Sequence, residues 1–125
     1  MPKIELGVKD GKLADCPSSP NCVSTQTEDE SKKMEPIPYT ISDDQAIGKI
    51  TKVVNEMPRT KIVTQTNNYL HVTFTTRLFR FVDDVEFYFD KKEKVIHYRS
   101  ASRTGYSDLG VNQKRMVEIS KRFLV

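Results

Sequence analysis

A chain of 125 residues is of single-domain length and can bury one core without help from metals or disulfides. Charged residues make up 30% of it yet sum to only +3, a surplus too small for a nucleic-acid binder, so that partner class is set aside. No window has the length and apolarity of a membrane span, and the first residues lack the apolar stretch of a secretory signal. As written the chain reads as cytoplasmic; removal of a signal would make it exported.

Residues 1–36 read as an irregular arm packed on the rest. Pro17, Pro20 and Pro36 break regular structure, and Ser24 to Lys33 is polar without periodicity. Ile4, Leu6 and Val23 are the residues able to pin the arm down. Within it, Cys16 and Cys22 frame Cys-Pro-Ser-Ser-Pro-Asn-Cys. A disulfide there would close a short loop, worth about 2.4 kcal/mol on loop entropy alone. As thiols the pair could form a pocket wall. A metal site needs more ligands than two thiolates, and the spacing is not Cys-x-x-Cys. A nucleophile needs a base nearby. The order of preference is structural pair, pocket wall, metal ligand, nucleophile, and no metal or cofactor is expected.

Residues 37–125 read as an α+β domain. Ile37 to Ile41 alternates and suits a short edge strand, where Pro38 is tolerated. Ser42-Asp-Asp-Gln45 is a capping box, Ile47, Ile50, Val54 and Met57 follow at helical spacing, and Pro58 stops the run. Lys61–Thr66 and Tyr69–Thr75 flank Asn67-Asn68, a pair suited to a tight hairpin. Val82–Phe89 alternates, Asp90-Lys-Lys-Glu93 turns the chain, and Val95–Ser100 continues as a strand. A last helix, Met116 to Leu124, aligns Met116, Ile119, Ser120 and Phe123 on one face.

The predicted order is therefore β-α-β-β-β-β-α: an antiparallel sheet of about four to five strands with two helices on one face. The helices should cover Leu70, Val72, Phe74, Val85, Phe87, Phe89, Ile96 and Tyr98. The opposite face, with His71, Thr73, Thr75, Asp84, Glu86, Tyr88, His97 and Arg99, is expected to meet solvent, as antiparallel sheets commonly allow. Such a face could serve acid–base chemistry, but ordinary cross-strand pairing is the favoured reading.

The junction from Arg99 to Arg115 is the richest in chemistry. Arg99, Arg103, Lys114 and Arg115 supply charge, Ser100, Ser102, Thr104 and Ser107 hydroxyls, and Gly105 and Gly110 allow close backbone approach. Either Asp108 or Asn112 can cap the helix. Lys114 and Arg115 in a first turn oppose the helix dipole, which calls for a nearby acid or a bound anion. Asp108 is the first choice of acid, then Asp83 or Asp84. An internal Arg–Asp network and an anion site are equally consistent with these residues.

Three segments carry a resemblance: Leu13-Ala-Asp-Cys-Pro-Ser-Ser-Pro-Asn-Cys-Val-Ser24, Arg77-Leu-Phe-Arg-Phe-Val-Asp-Asp-Val-Glu-Phe87 and Val95-Ile-His-Tyr-Arg-Ser-Ala-Ser-Arg-Thr-Gly-Tyr-Ser-Asp-Leu-Gly-Val-Asn112. Together they resemble the family called domain of unknown function 1499, small bacterial and plant proteins with no established activity. Some relatives carry export or lipoprotein signals, which suits a Cys16–Cys22 disulfide. The resemblance implies that the three segments converge, bringing Arg80, Asp84, Arg99 and Arg103 to the cysteine loop beside the last helix. The candidate ligand-binding set is Arg80, Asp84, Arg99, Ser100, Arg103, Tyr106, Asp108, Asn112 and Arg115, with Cys16 and Cys22 as disulfide or pocket wall. The expected function is a binding module whose Arg-lined polar pocket takes an anionic small molecule or an acidic segment of a partner. The alternatives are an enzyme using Cys16 or Cys22 with His97 or an acid as base, and an accessory protein whose polar clusters are purely structural.

Overall fold

The computed structural model describes residues 6–105 and 107–125. Chain order is β1 (Cys22–Ser24), β2 (Ile37–Pro38), α1 (Asp43–Asn55), β3 (Thr60–Gln65), β4 (Tyr69–Thr75), β5 (Val82–Asp90), β6 (Val95–Ser102) and α2 (Val111–Leu124). The strands form one antiparallel sheet in the order β1-β6-β5-β4-β3, with β2 also paired to β6. It has six strands rather than four to five, because the arm supplies β1: Cys22, Val23 and Ser24 pair with Ala101, Ser100 and Arg99.

Helix α1 begins as its capping box dictates. The Ser42 hydroxyl accepts from the Gln45 amide at 3.1 Å, and Gln45 Oε1 accepts from the Ser42 amide at 3.1 Å. Helix α2 begins at Val111, five residues earlier than its apolar spacing indicates, because Asp108 caps it: Oδ2 accepts from the Asn112 amide at 3.0 Å and Oδ1 from that of Gly110 at 2.9 Å. Both helices lie on the expected face. Ile50, Val54, Met116, Ile119 and Phe123 pack with Leu70, Val72, Phe74, Val85, Phe87, Phe89, Ile96 and Tyr98 into one buried cluster.

The opposite face is only partly wet, with Thr73, Thr75, Tyr88 and His97 half-buried. His71, Asp84, Glu86 and Arg99 are all buried on it, because the arm crosses the sheet. The Gly7 amide donates to Glu86 Oε2 at 2.7 Å, Arg99 reaches the Asp15 carbonyl, and the Thr25 hydroxyl meets His97 Nδ1 at 2.9 Å. Gln26 braces the crossing by accepting from the Leu13 amide and donating to the Gly11 carbonyl. The sheet is thus a middle layer between two helices and an arm.

Candidate functional site

Alternation along β5 and β6 divides the predicted site residues between the two faces. Asp83 and Ser100 point to the helices, Asp84, Glu86, Arg99 and Arg103 to the arm, so neighbours in sequence cannot share one pocket. Two separate polar clusters result.

On the helix side, Asn112 is fully buried at the start of α2. Its amide nitrogen donates to Asp108 Oδ2 at 2.6 Å, Ser102 Oγ at 3.1 Å and the Asn21 carbonyl at 3.2 Å; its oxygen accepts from Ser100 Oγ and from Arg115 Nη1 at 2.8 Å. Arg115 also donates to Asp83 Oδ2 at 2.7 Å and lies over the Phe74 ring at 4.7 Å. The acid that offsets Arg115 is therefore Asp83. Asp108 instead accepts from the first amides of the helix N-terminus, the groups that an external anion would otherwise meet.

On the arm side, Asp84 receives a bidentate pair from Arg103, at 2.9 and 3.0 Å, and a hydrogen bond from His71 Nε2 at 2.7 Å. Burial pushes its carboxyl up, but the hydrogen bonds from His71 and Arg103, with the Arg103 charge, outweigh that and hold it at about 2. Glu86 accepts from the Tyr69 hydroxyl at 2.5 Å, and the Tyr69 phenol is raised first by burial and then by that carboxylate. Arg99 is 1% exposed and stands 3.9 Å from Glu86, an attraction without a hydrogen bond. Burial draws the Arg99 guanidinium below its usual value, against the opposing pull of Glu86, Asp84 and Asp15.

The cysteine loop joins these clusters along the β1–β6 seam. Cys16 and Cys22 form a disulfide. Asn21 between them and the loop after β6 is held at both ends: its side chain donates to the Gly105 carbonyl at 2.8 Å, and its own carbonyl accepts from the Ser102 amide at 3.0 Å. Asp84, Arg99, Ser100, Arg103, Asp108, Asn112 and Arg115 thus all lie near this seam, on its two faces. Arg80 does not join them. It sits in the β4–β5 turn with φ 58° and is exposed, because hairpin geometry carries it past the end of the sheet. Tyr106 lies outside the described residues.

Two of the clefts border the start of α2. One of about 290 Å³ lies between the cysteine loop and the start of α2, with Cys22, Lys32, Asp108 and Gln113 on its walls; none of the predicted arginines lines it, and Lys32 is already engaged by Asp29 and the Pro17 carbonyl. The other, about 440 Å³, opens at the end of the sheet between the α1–β3 loop, the end of β4 with the loop after it, and the start of α2. Phe74 and Val111 give it an apolar floor, Arg59, Arg77, Lys114 and Arg115 its rim, and none of its described lining residues is acidic. Sequence reasoning named only Arg115 of this rim for the site, with Lys114 as a neighbour. Arg59 and Arg77 carried a topological signal: each precedes or follows a strand end that the hairpins bring together.

The profile of the family described as protein of unknown function (DUF1499) matches residues 12–123. The chain belongs to the DUF1499 family. The matched span of this DUF1499 chain takes in most of the arm as well as every strand, and all but the last residue of α2. No match was found among curated proteins or among solved structures. Among the described residues, no helix is long and apolar enough to cross a membrane, and no group of three or more His, Cys, Asp or Glu side chains is arranged to hold a metal ion.

Proposed function

We propose that this DUF1499 protein is a binding module that takes an anionic small molecule with an apolar body in the 440 Å³ cleft at the end of the sheet. The observation that carries the reading is the pairing of an apolar floor with a cationic rim and no acid among the described lining residues. Arg115, fixed by Asp83 and Phe74, is a rigid wall, whereas Arg59, Arg77 and Lys114 are exposed and able to close on a negative group. Its volume lies in the range of small-molecule pockets. Arg99 and Arg103 of the β6–α2 junction are instead engaged by Glu86 and Asp84, away from the cleft. The enzyme alternative lacks a nucleophile while the disulfide is intact, because neither sulfur is then a thiolate. Its suggested base, His97, is held below the usual imidazole value by burial.

The test uses 8-anilino-1-naphthalenesulfonate, a sulfonate on an aromatic body, titrated into the folded protein and read by fluorescence. One-to-one binding is expected. Lys114→Glu and Arg77→Glu, both at exposed positions, should each weaken it about tenfold. Equal affinity in the charge-reversed variants would remove the cleft from consideration and leave the polar clusters as purely structural.

A further inference from the structure

The sheet end that carries the cleft also carries the largest exposed apolar side chains among the described residues. The β4–β5 loop runs Thr76-Arg-Leu-Phe-Arg-Phe81, with Leu78 80% and Phe79 69% exposed; in the β6–α2 loop at the same end, Leu109 is 86% exposed. A single exposed leucine is unremarkable in a folded protein, but several together on one end indicate a contact surface. The loop is built to hold them out. The Thr76 amide donates to the Phe81 carbonyl at 2.8 Å, the Phe81 amide donates to the Thr76 hydroxyl at 2.9 Å, and the Phe79 and Phe81 rings stack at 5.5 Å.

The exposed charges around this tip are mostly positive. Arg77 and Arg80 alternate with the apolar residues, and exposed Arg59 and Lys114 stand behind them. Asp83 is taken by Arg115, Asp84 by Arg103 and His71, and Asp108 by the start of α2. Among the described residues of the three loops at this end, Glu56 is the remaining exposed acid.

We propose that the Leu78-Phe79-Arg80-Phe81 tip docks this protein onto the surface of an anionic lipid bilayer. A convex tip of leucine and phenylalanine needs no matching groove there: it enters the boundary between headgroups and acyl chains, while the flanking guanidinium groups meet lipid phosphates. A protein partner would have to offer a pocket of opposite shape and charge. The inference rests on the tip and is independent of what the cleft binds.

Cosedimentation with vesicles of phosphatidylcholine, with and without phosphatidylglycerol, tests it. Binding is expected only to the vesicles containing phosphatidylglycerol, and it should weaken as salt rises. The double variant Leu78→Ser/Phe79→Ser and the single variant Arg80→Glu should each lower the partition coefficient about tenfold or more. These positions are exposed and none lines the cleft, so circular dichroism and sulfonate binding should be unchanged. The chain has no tryptophan, so Phe79→Trp introduces a single indole at the tip, whose emission should shift to the blue on mixing and be quenched by brominated acyl chains. Three results overturn the proposal: undiminished vesicle binding by the double variant, an unshifted indole, or failure to bind the anionic vesicles. Self-association abolished by Leu78→Ser/Phe79→Ser in the absence of vesicle binding would assign the tip to a second copy instead.

Discussion

Arg115 and Asp83 meet with side chains 8% and 1% exposed, so neither charge can fall back on water if the other is removed. Arg115→Ala should therefore cost about 3–5 kcal/mol in urea unfolding, whereas Arg80→Ala, at an exposed turn, should stay within about 0.5 kcal/mol. Comparable losses at the two positions would contradict the assignment of Arg115 as an internal partner. Asp84 makes a pH-dependent contribution on the other face of the sheet. Its carboxyl titrates at about 2 in the folded protein, below the ordinary value of 3.8. A depressed carboxyl stabilises the fold in full above the unfolded value, and that contribution fades as pH falls from about 4 through 2, for a total of about 2 kcal/mol. Urea midpoints measured across that interval should fall less steeply in Asp84→Asn than in the parent protein.

Helix α2 illustrates how a cap can lie outside the residue that formally begins an element. Gly110 occupies the N-cap position in a left-handed conformation, φ 81°, and the carboxylate two residues before it binds the first amides. Asp108→Ala should lower stability by about 1 kcal/mol or more, since the amides lose their acceptor and Asn112 loses one of its bonds. A change of a few tenths would show that water replaces the carboxylate. The other elements differ in how far local sequence determined them. Helix α1 was legible to its first residue because Ser42 and Gln45 act within one turn. Strand β5 was legible through alternation, β3 and β4 through the Asn67-Asn68 turn between them and β6 through the Asp90–Glu93 turn before it, and so was the helix-covered face. Strand β1 was not, because three residues after a proline-rich loop have no period; its existence depends on Arg99 to Ala101, most of the chain away. The same gap hid the covering of the second face. His71, Asp84, Glu86 and Arg99 look like solvent-facing residues until the arm is laid over them. Alternation did separate Arg99 from Ser100, and applying it to the candidate set would have divided that set into two clusters from the outset.

At the scale of the molecule, the arm and the cysteine loop complete the sheet. Reduction of the Cys16–Cys22 bond frees a loop whose residue Asn21 ties β6 to α2, so the loss should exceed a purely local effect. Thermal unfolding with and without a reductant, or of Cys16→Ser/Cys22→Ser, should show a fall of about 2 kcal/mol from loop entropy alone. Hydrogen exchange should quicken along β1 and at the end of β6 before it does in β4. An unaltered melting curve would mean that the hydrogen bonds of Asn21 hold the loop without its covalent link. The seam between β1 and β6 also sets a local closure against a distant pairing. The cysteines are six apart and meet within one local loop, but the strand that Cys22 opens finds its partner only in β6, about 75 residues later in the chain. A loop that closes on neighbouring residues is thus placed only by a distant strand, and a chain that stops short of β6 offers it no sheet edge.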